Sequence, residues 1–173
     1  MMEAVLERYL TLLSKMKRAK VEGYQAPHKL LLMMTICNLV ESGVIADNHI
    51  VLSQELEQEF ARLWKEKIDN EEEVPMDCVA EELLMGQRKV YPFKCNIANP
   101  YYHLSGEPFW TLEKSPLWRN RNSWSVPQLR SCFEYAILDE ELFALISQPD
   151  TREKICRHLD EMHTTSSCPR AFT

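Results

Sequence analysis

Glycine is scarce in this sequence, with four glycines in 173 residues. So few cannot build a glycine-rich phosphate cradle, and neither a phosphate loop nor a G-x-S-x-G nucleophile motif is found. The six cysteines form no C-x-x-C pair and no regular spacing, which favours a reducing, cytoplasmic setting over a disulfide framework. No apolar run approaches the roughly 18 residues of a membrane span, so no membrane partner is expected.

The five histidines do not supply the histidine and asparagine arrangement of an HNH-type metal site. His158 and His163 are five positions apart, which places them about 140° apart around a helix rather than on one face. They also lack the glutamate of an H-E-x-x-H zinc motif. The sequence therefore predicts no catalytic residue, no metal and no cofactor, although a Cys–His nucleophile pair stays open.

Charge is distributed unevenly in a chain whose net charge is −6. Residues 53–82 hold three basic and eleven acidic residues, whereas residues 83–130 hold seven basic and two acidic residues. A local basic face can therefore exist on an acidic protein. The charge pattern permits nucleic-acid binding without demonstrating it.

The hydrophobic pattern predicts one globular domain over residues 1–163, followed by a disordered tail at 164–173. Helices are predicted at 3–16, 27–42, 53–67 and 76–85, and again within 126–163, with a short extended piece at 49–52. The stretch "YYHLSGEPFWTL" has apolar and aromatic runs on both sides of Ser-Gly-Glu-Pro, which predicts a β-hairpin. The expected fold class is α+β, mainly helical and winged-helix-like with a β-hairpin.

The stretch "APHKLLLMMTICNLVESG" places a Pro-His-Lys triplet at the start of the most apolar helix. Pro27 suits the first helical turn, the apolar body of the helix should be buried, and Gly43 should end the helix. The free N–H groups at a helix start attract phosphate, and His28 and Lys29 would add donors there. The alternative is an ordinary helix start, in which His28 caps or packs and Lys29 extends along the surface.

Aromatic and proline residues gather in "NIANPYYHLSGEPFW". Pro100, Tyr101 and Tyr102 can present flat apolar surface beside His103, or they can form a small core under the loop. Phe109 and Trp110 are assigned to such a core.

Two further segments mix basic residues with polar or aromatic ones. The segment "KSPLWRNRNSW" contains Arg119 and Arg121 among tryptophans and asparagines, a mixture found on nucleic-acid surfaces and also in ordinary loops. The segment "KMKRAK" contributes Lys17, Arg18 and Lys20 as candidate phosphate contacts.

Taken together, the Pro-His-Lys helix start, the segment "IVLSQELEQEFARLW" and the segment "NPYYHLSGEPFWTL" resemble one known pattern. They are similar to the sulfur-binding domain of phosphorothioate-dependent HNH restriction endonucleases, over roughly residues 3–163. The resemblance implies a non-catalytic reader of double-stranded DNA in which a sulfur replaces one non-bridging phosphate oxygen, within a restriction or defence system.

The resemblance also implies site residues. Asn99, Pro100 and Tyr101 would line an apolar sulfur pocket, and His28 and Lys29 would hold the surrounding phosphate and base edges. The remaining expected DNA contacts are Lys17, Arg18, Lys20, His103, Arg119 and Arg121. An HNH nuclease module or partner is implied too, and both an N-terminal domain of a nuclease and a stand-alone reader stay open.

The sequence departs from the family pattern at several positions. Lys29 stands where some members have arginine, which removes the bidentate fork used in guanine reading. Asn99 occupies an aromatic position of the family, and His103 replaces a small residue. A second proline–aromatic turn at 91–94 ("YPFK") is an alternative counterpart of the sulfur-pocket turn.

Two other functions are compatible with the residues. The acidic stretch 53–82 could bind a basic protein partner. A cryptic hydrolase using His28 or His103 is the third hypothesis, and no metal-ligand spacing supports it.

Overall fold

The computed structural model describes residues 2–21, 24–69 and 93–166. The helices of these residues are α1 (Met2–Ser14), α2 (His28–Glu41), α3 (Gln54–Trp64), α4 (Ala98–His103), α5 (Val126–Cys132), α6 (Glu140–Ser147) and α7 (Pro149–Ser166). The strands are β1 (Lys20–Val21), β2 (Tyr24–Gln25), β3 (His49–Ile50), β4 (Trp110–Lys114) and β5 (Phe133–Leu138). A π-turn at Lys65–Asp69 extends α3, and a 3-10 turn at Leu104–Gly106 extends α4. The predicted class, a mainly helical α+β fold, is confirmed.

Helix α2 forms the centre of the molecule, as its nearly continuous apolar sequence predicts. Its side chains from Leu30 to Cys37 are all buried, and the helix packs against α3 and α7. Pro27 occupies the N-cap position, and Gly43 follows the helix with a φ of 85°, a conformation that glycine adopts without strain. The start of α2 is therefore held rigidly by the core behind it.

Ser53 is the N-cap of α3. Ser53 accepts a hydrogen bond from the Leu56 N–H through its side chain, at 3.1 Å. This bond satisfies one of the backbone donors that a helix start leaves without an intrahelical partner.

The main sheet has three antiparallel strands in the order β3–β5–β4, and its middle strand was not predicted. Ile50 of β3 and Leu112 of β4 both pair with Ala136 of β5. The prediction that residues 126–163 return to helix is wrong over Phe133–Leu138. In this segment Ala136 and Leu138 are buried and Glu134 is exposed, the alternation of a strand with one covered face.

The predicted hairpin at "YYHLSGEPFWTL" is also misplaced. Tyr101 and His103 lie in α4, and β4 begins only at Trp110 and pairs with β5 instead. The Asn96 side chain accepts a hydrogen bond from the Ala98 N–H at 3.1 Å, where α4 begins. An asparagine that bonds the backbone two residues ahead favours a turn over a strand.

Several predicted segments lie outside the described residues: the helix at 76–85, the first two residues of the turn at 91–94, and positions 167–173 of the expected tail. Residues 164–166 of that tail belong to α7. Within the described part of the chain, no helix combines the length and the apolar character required to cross a membrane.

Candidate nucleic-acid interface

The start of α2 opens into a cavity of about 600 Å³, which we call the α2 cavity. Its lining brings together three segments that are distant in sequence: the "KMKRAK" link, the Pro-His-Lys helix start and the segment from α4 to the turn after it. The lining residues are Lys17, Arg18, Ala19, Ala26, His28, Lys29, Asn99, Pro100, His103, Gly106 and Glu107. Pro100, although largely buried, lines this cavity together with three of the expected cations, Lys17, Arg18 and Lys29.

Helix α4 is positioned by Tyr101, which does not line the cavity. Its side chain is 1% exposed, and its hydroxyl donates to the Ile50 carbonyl at 2.6 Å. The Trp110 Nε1–H donates to the Tyr101 carbonyl at 3.0 Å, and burial raises the pKa of the Tyr101 phenol. The prediction that Tyr101 lines a sulfur pocket is therefore wrong, because this ring ties α4 to the sheet while Asn99, Pro100 and His103 face the cavity.

His28 contributes a fixed ring rather than a cation. Its Nε2 lies 2.7 Å from the Lys94 carbonyl, and because a carbonyl only accepts, Nε2 carries the proton in this bond. The ring also contacts Trp64, with ring centres 4.9 Å apart, and meets the edge of Phe93 at 5.9 Å. Burial lowers the pKa of His28, although the Lys94 carbonyl acts in the opposite direction. A positive charge at this position is therefore not favoured at neutral pH.

Lys29 reaches the cavity as one half of a buried ion pair. Its Nζ donates to Glu107 Oε2 at 2.9 Å and to the Lys17 carbonyl at 2.6 Å, and the Lys17 N–H also donates to Glu107 Oε2 at 3.0 Å. The two side chains are 11% and 7% exposed. A lysine ammonium has three N–H donors, and the described residues accept from two of them. The third donor is left for a ligand. Lys29 is thus a directed donor whose charge is largely balanced.

Two basic residues of the link, Lys17 and Arg18, also line the cavity. The Lys17 side chain is exposed. The Arg18 guanidinium donates to the Gln25 side-chain oxygen at 2.7 Å and, at 3.4 Å, to the Ala26 carbonyl, which orients it along the β1–β2 ribbon. Lys20 lies on β1, exposed and outside the cavity lining.

Two further hollows continue from the α2 cavity. The bridging hollow, about 330 Å³, shares Asn99 and His103 with the cavity and is otherwise lined by Asn96, Ala98, Tyr102, Arg121, Asn122, Ser123 and Trp124. The arginine hollow, about 410 Å³, is lined by Arg119, Asn120, Arg121, Asn122, Ser123 and Gln128. Because neighbouring hollows share lining residues, the three form one continuous surface. We call this surface the cationic face.

The basic segment after β4 reaches the cationic face through Arg119 and Arg121. Arg119 is exposed, while Arg121 is half-buried. The Nε of Arg121 has no hydrogen-bond partner among the described residues. Trp124 stacks on Tyr102 with ring centres 5.0 Å apart, which joins this segment to α4. The structure thereby unites two segments whose proximity the sequence did not reveal.

His103 lies between the α2 cavity and the bridging hollow. Partial burial, with repulsion from the Lys29 ammonium, lowers its pKa. The imidazole is therefore predominantly neutral near pH 7, where it can donate from one ring nitrogen and accept at the other. This favours a hydrogen-bonding role for His103 over simple attraction of phosphate.

Sequence reasoning missed Glu107, which holds Lys29 in place. The available signal was its charge, since it is one of two acidic residues in the otherwise basic stretch 83–130. An isolated acid among basic residues often has a specific partner, but the sequence did not show which cation it meets.

The alternative sites receive less support from the geometry. On the described part of the acidic stretch, Glu59 and Glu66 pair with Arg62, and Glu57 pairs with Arg130. The run 71–73 lies outside the described residues. In the described ranges, no group of three or more His, Cys, Asp or Glu side chains is arranged to hold a metal ion.

A scan against models of protein families and a search among curated proteins found no match to this chain. The geometry of the cationic face is therefore the basis for assigning a function.

Proposed function

We propose that this domain binds double-stranded DNA along the cationic face and reads a phosphorothioate group in the α2 cavity. The domain recognises the modified DNA and does not itself cleave it. As a modification reader it would serve a cytoplasmic restriction or defence system, with an HNH nuclease as a further module or partner.

The observation that supports this proposal most is the composition of the α2 cavity. Pro100, Ala19 and Ala26 supply apolar surface, and Lys17, Arg18 and Lys29 surround it with cationic donors. The cavity also lies at the start of a 14-residue helix, where the backbone dipole favours an anion. An anion with one large, weakly hydrated atom suits both parts of such a site.

Sulfur differs from oxygen in the properties that this cavity can distinguish. It is larger and more polarisable, and it holds water less strongly. Contact with a proline ring therefore costs a sulfur atom less hydration free energy than it costs an oxygen atom. An unmodified phosphate oxygen would lose hydrogen bonds to water against the same ring. Because Lys29 is paired with Glu107, the attraction of the cavity for any phosphate is reduced, and binding there depends more on the apolar contact.

The remaining cationic face supplies affinity rather than selection. Arg119 and Arg121 line the arginine hollow and would contact phosphates beyond the cavity, and contacts of this kind position a protein on a duplex without specifying sequence. Asn99 and His103, between the hollows, carry donors and acceptors suited to base edges.

The decisive experiment compares two duplexes of one sequence, with and without a single phosphorothioate, by fluorescence anisotropy at fixed salt. We expect tighter binding of the sulfur-containing duplex. Pro100→Ala should remove most of that preference while leaving affinity for the ordinary duplex nearly unchanged.

The matched control is Pro149→Ala, an exposed proline at the start of α7, which should keep the preference. Equal affinity of the wild-type protein for both duplexes would refute sulfur reading and leave DNA binding in place. If neither duplex binds, the DNA proposal itself fails.

A further inference from the structure

The turn after β4 exposes two large apolar side chains to solvent. Leu117 is 71% exposed, the highest value among the large hydrophobic side chains of the described residues, and its neighbour Trp118 is 37% exposed. Single exposed apolar residues are common, so exposure alone assigns no role to them. Their surroundings make this pair different.

The turn is held by hydrogen bonds within it and by a hydrogen bond to the last residue of α5. The Trp118 N–H donates to the Ser115 carbonyl at 3.0 Å, and the Leu117 N–H donates to Ser115 Oγ at 3.1 Å. The Ser115 N–H donates to the Cys132 carbonyl at 2.8 Å. Pro116 occupies the second position of this turn, which its ring favours. The backbone of Leu117 is thus held in one conformation, so binding a partner would restrict rotation about few additional bonds.

Positive charge surrounds the same turn. The Lys114 ammonium lies 4.0 Å from the centre of the Trp118 ring, a cation–π contact that also covers one side of the indole. Arg119 follows directly and, with Arg121, lines the arginine hollow. An apolar tip among cations fits a partner with an anionic exterior and apolar flat surfaces within reach, which describes a DNA groove and the base pairs in it.

We propose that Leu117 is an apolar wedge that contacts base pairs of DNA bound on the cationic face, with Trp118 supporting it from behind. This inference rests on the proposed DNA binding. Apolar side chains inserted against a base step partly unstack it and bend the duplex. Leu117 would therefore mark one base step of the bound DNA.

The test uses Leu117→Ala, with Val44→Ala as the matched control. Both residues are exposed and apolar, and Val44 follows the far end of α2, whose 14 residues span about 21 Å. Dissociation constants for one phosphorothioated duplex would be measured by anisotropy at low and high salt. We expect Leu117→Ala to weaken binding about tenfold at both salt concentrations, since an apolar contact of this size releases no counterions. Val44→Ala should bind as the wild type does.

A second readout reports on the bases themselves. Duplexes carrying 2-aminopurine at successive positions should show a rise in fluorescence at one step with wild-type protein and none with Leu117→Ala. Unchanged affinity of Leu117→Ala, a loss that shrinks as salt rises, or no fluorescence rise at any position overturns the wedge while DNA binding stands. If the wild-type protein binds no duplex, the wedge falls together with the proposed function.

Discussion

The α2 cavity and the arginine hollow hold their cations in different ways. In the cavity, Lys29 is paired with Glu107 and buried, and the His28 ring is fixed by its contacts with Trp64 and Phe93. In the hollow, Arg119 is exposed and belongs to an irregular segment. The charged and polar groups of the cavity are held by buried residues, while Arg119 in the hollow lies on the surface. The difference separates selection, which needs fixed geometry, from attraction, which needs only charge.

The largest expected effect is on the free energy of unfolding, and it is tested by comparing one tryptophan from each region. Trp64 is buried against His28, so Trp64→Ala should lower the free energy of unfolding by about 3–5 kcal/mol, the usual cost of truncating a buried aromatic side chain. Trp118→Ala, beside the arginine hollow, should cost below about 1 kcal/mol, because the ring is partly exposed. Urea denaturation measures both, and similar losses would contradict the contrast drawn between the two regions.

The next effect concerns the buried pair. Lys29→Ala and Glu107→Ala should each lower the free energy of unfolding by about 3 kcal/mol, since each leaves a buried charge without its partner. The double variant should lose less than the sum of the single losses.

Arg119→Ala is the control for this pair in the arginine hollow, and it should change stability by about 0.5 kcal/mol or less. Strictly additive losses for Lys29 and Glu107 in the denaturation experiment would show that the pair does not act as a unit.

A smaller effect should appear in the salt dependence of DNA binding. Arg119→Gln should weaken binding and reduce the slope of log affinity against log salt by about 1, because one phosphate contact is lost. Arg157→Gln, an exposed arginine on α7 that pairs with Glu153, should leave the slope unchanged. Equal changes in the two variants would indicate general attraction by surface charge instead of a defined cationic face.

The smallest effect is a pH dependence of stability from the α2 cavity. Burial lowers the pKa of His28 in the folded protein, so the unfolded chain takes up a proton at a higher pH than the folded one does. The contribution of the neutral His28 ring to the free energy of unfolding is complete above the pKa of histidine in the unfolded chain, about 6.5. It is lost as the pH falls from there through the lowered pKa of the folded protein. Urea midpoints at pH 7.5 and 5.5 measure this loss.

His28→Gln should reduce the difference between the two midpoints. His103→Gln should reduce it less, since its ring is more exposed and solvent screens its interactions. An undiminished pH dependence in His28→Gln would mean that other groups cause it.

Local patterns were enough for α2 and for the caps beside it. Leu30 to Cys37 form an apolar run that no exposed helix could carry, Pro27 begins the helix, and Gly43 ends it with the positive φ that glycine allows. These features depend on a few neighbouring residues. The same local logic failed at β5, where a six-residue segment takes its structure from the strands on both of its sides.

The cationic face was only partly predictable. The sequence placed Pro100, His28 and Lys29 in recognisable segments, and the fold brings them into one cavity. It did not show that Tyr101 turns inward, because the direction of one ring in a short helix depends on the Ile50 carbonyl far along the chain.

The sequence by itself determined a mainly helical domain with a buried central helix and the residues that begin and end it. Only the tertiary structure decided that Glu107 balances Lys29, that His28 donates to the Lys94 carbonyl, and that Arg121 lines the same continuous surface as Pro100. The physical reason is distance along the chain. Periodicity and capping act between near neighbours, whereas charge pairing, burial and the shape of a cavity depend on residues that meet only after the core has packed.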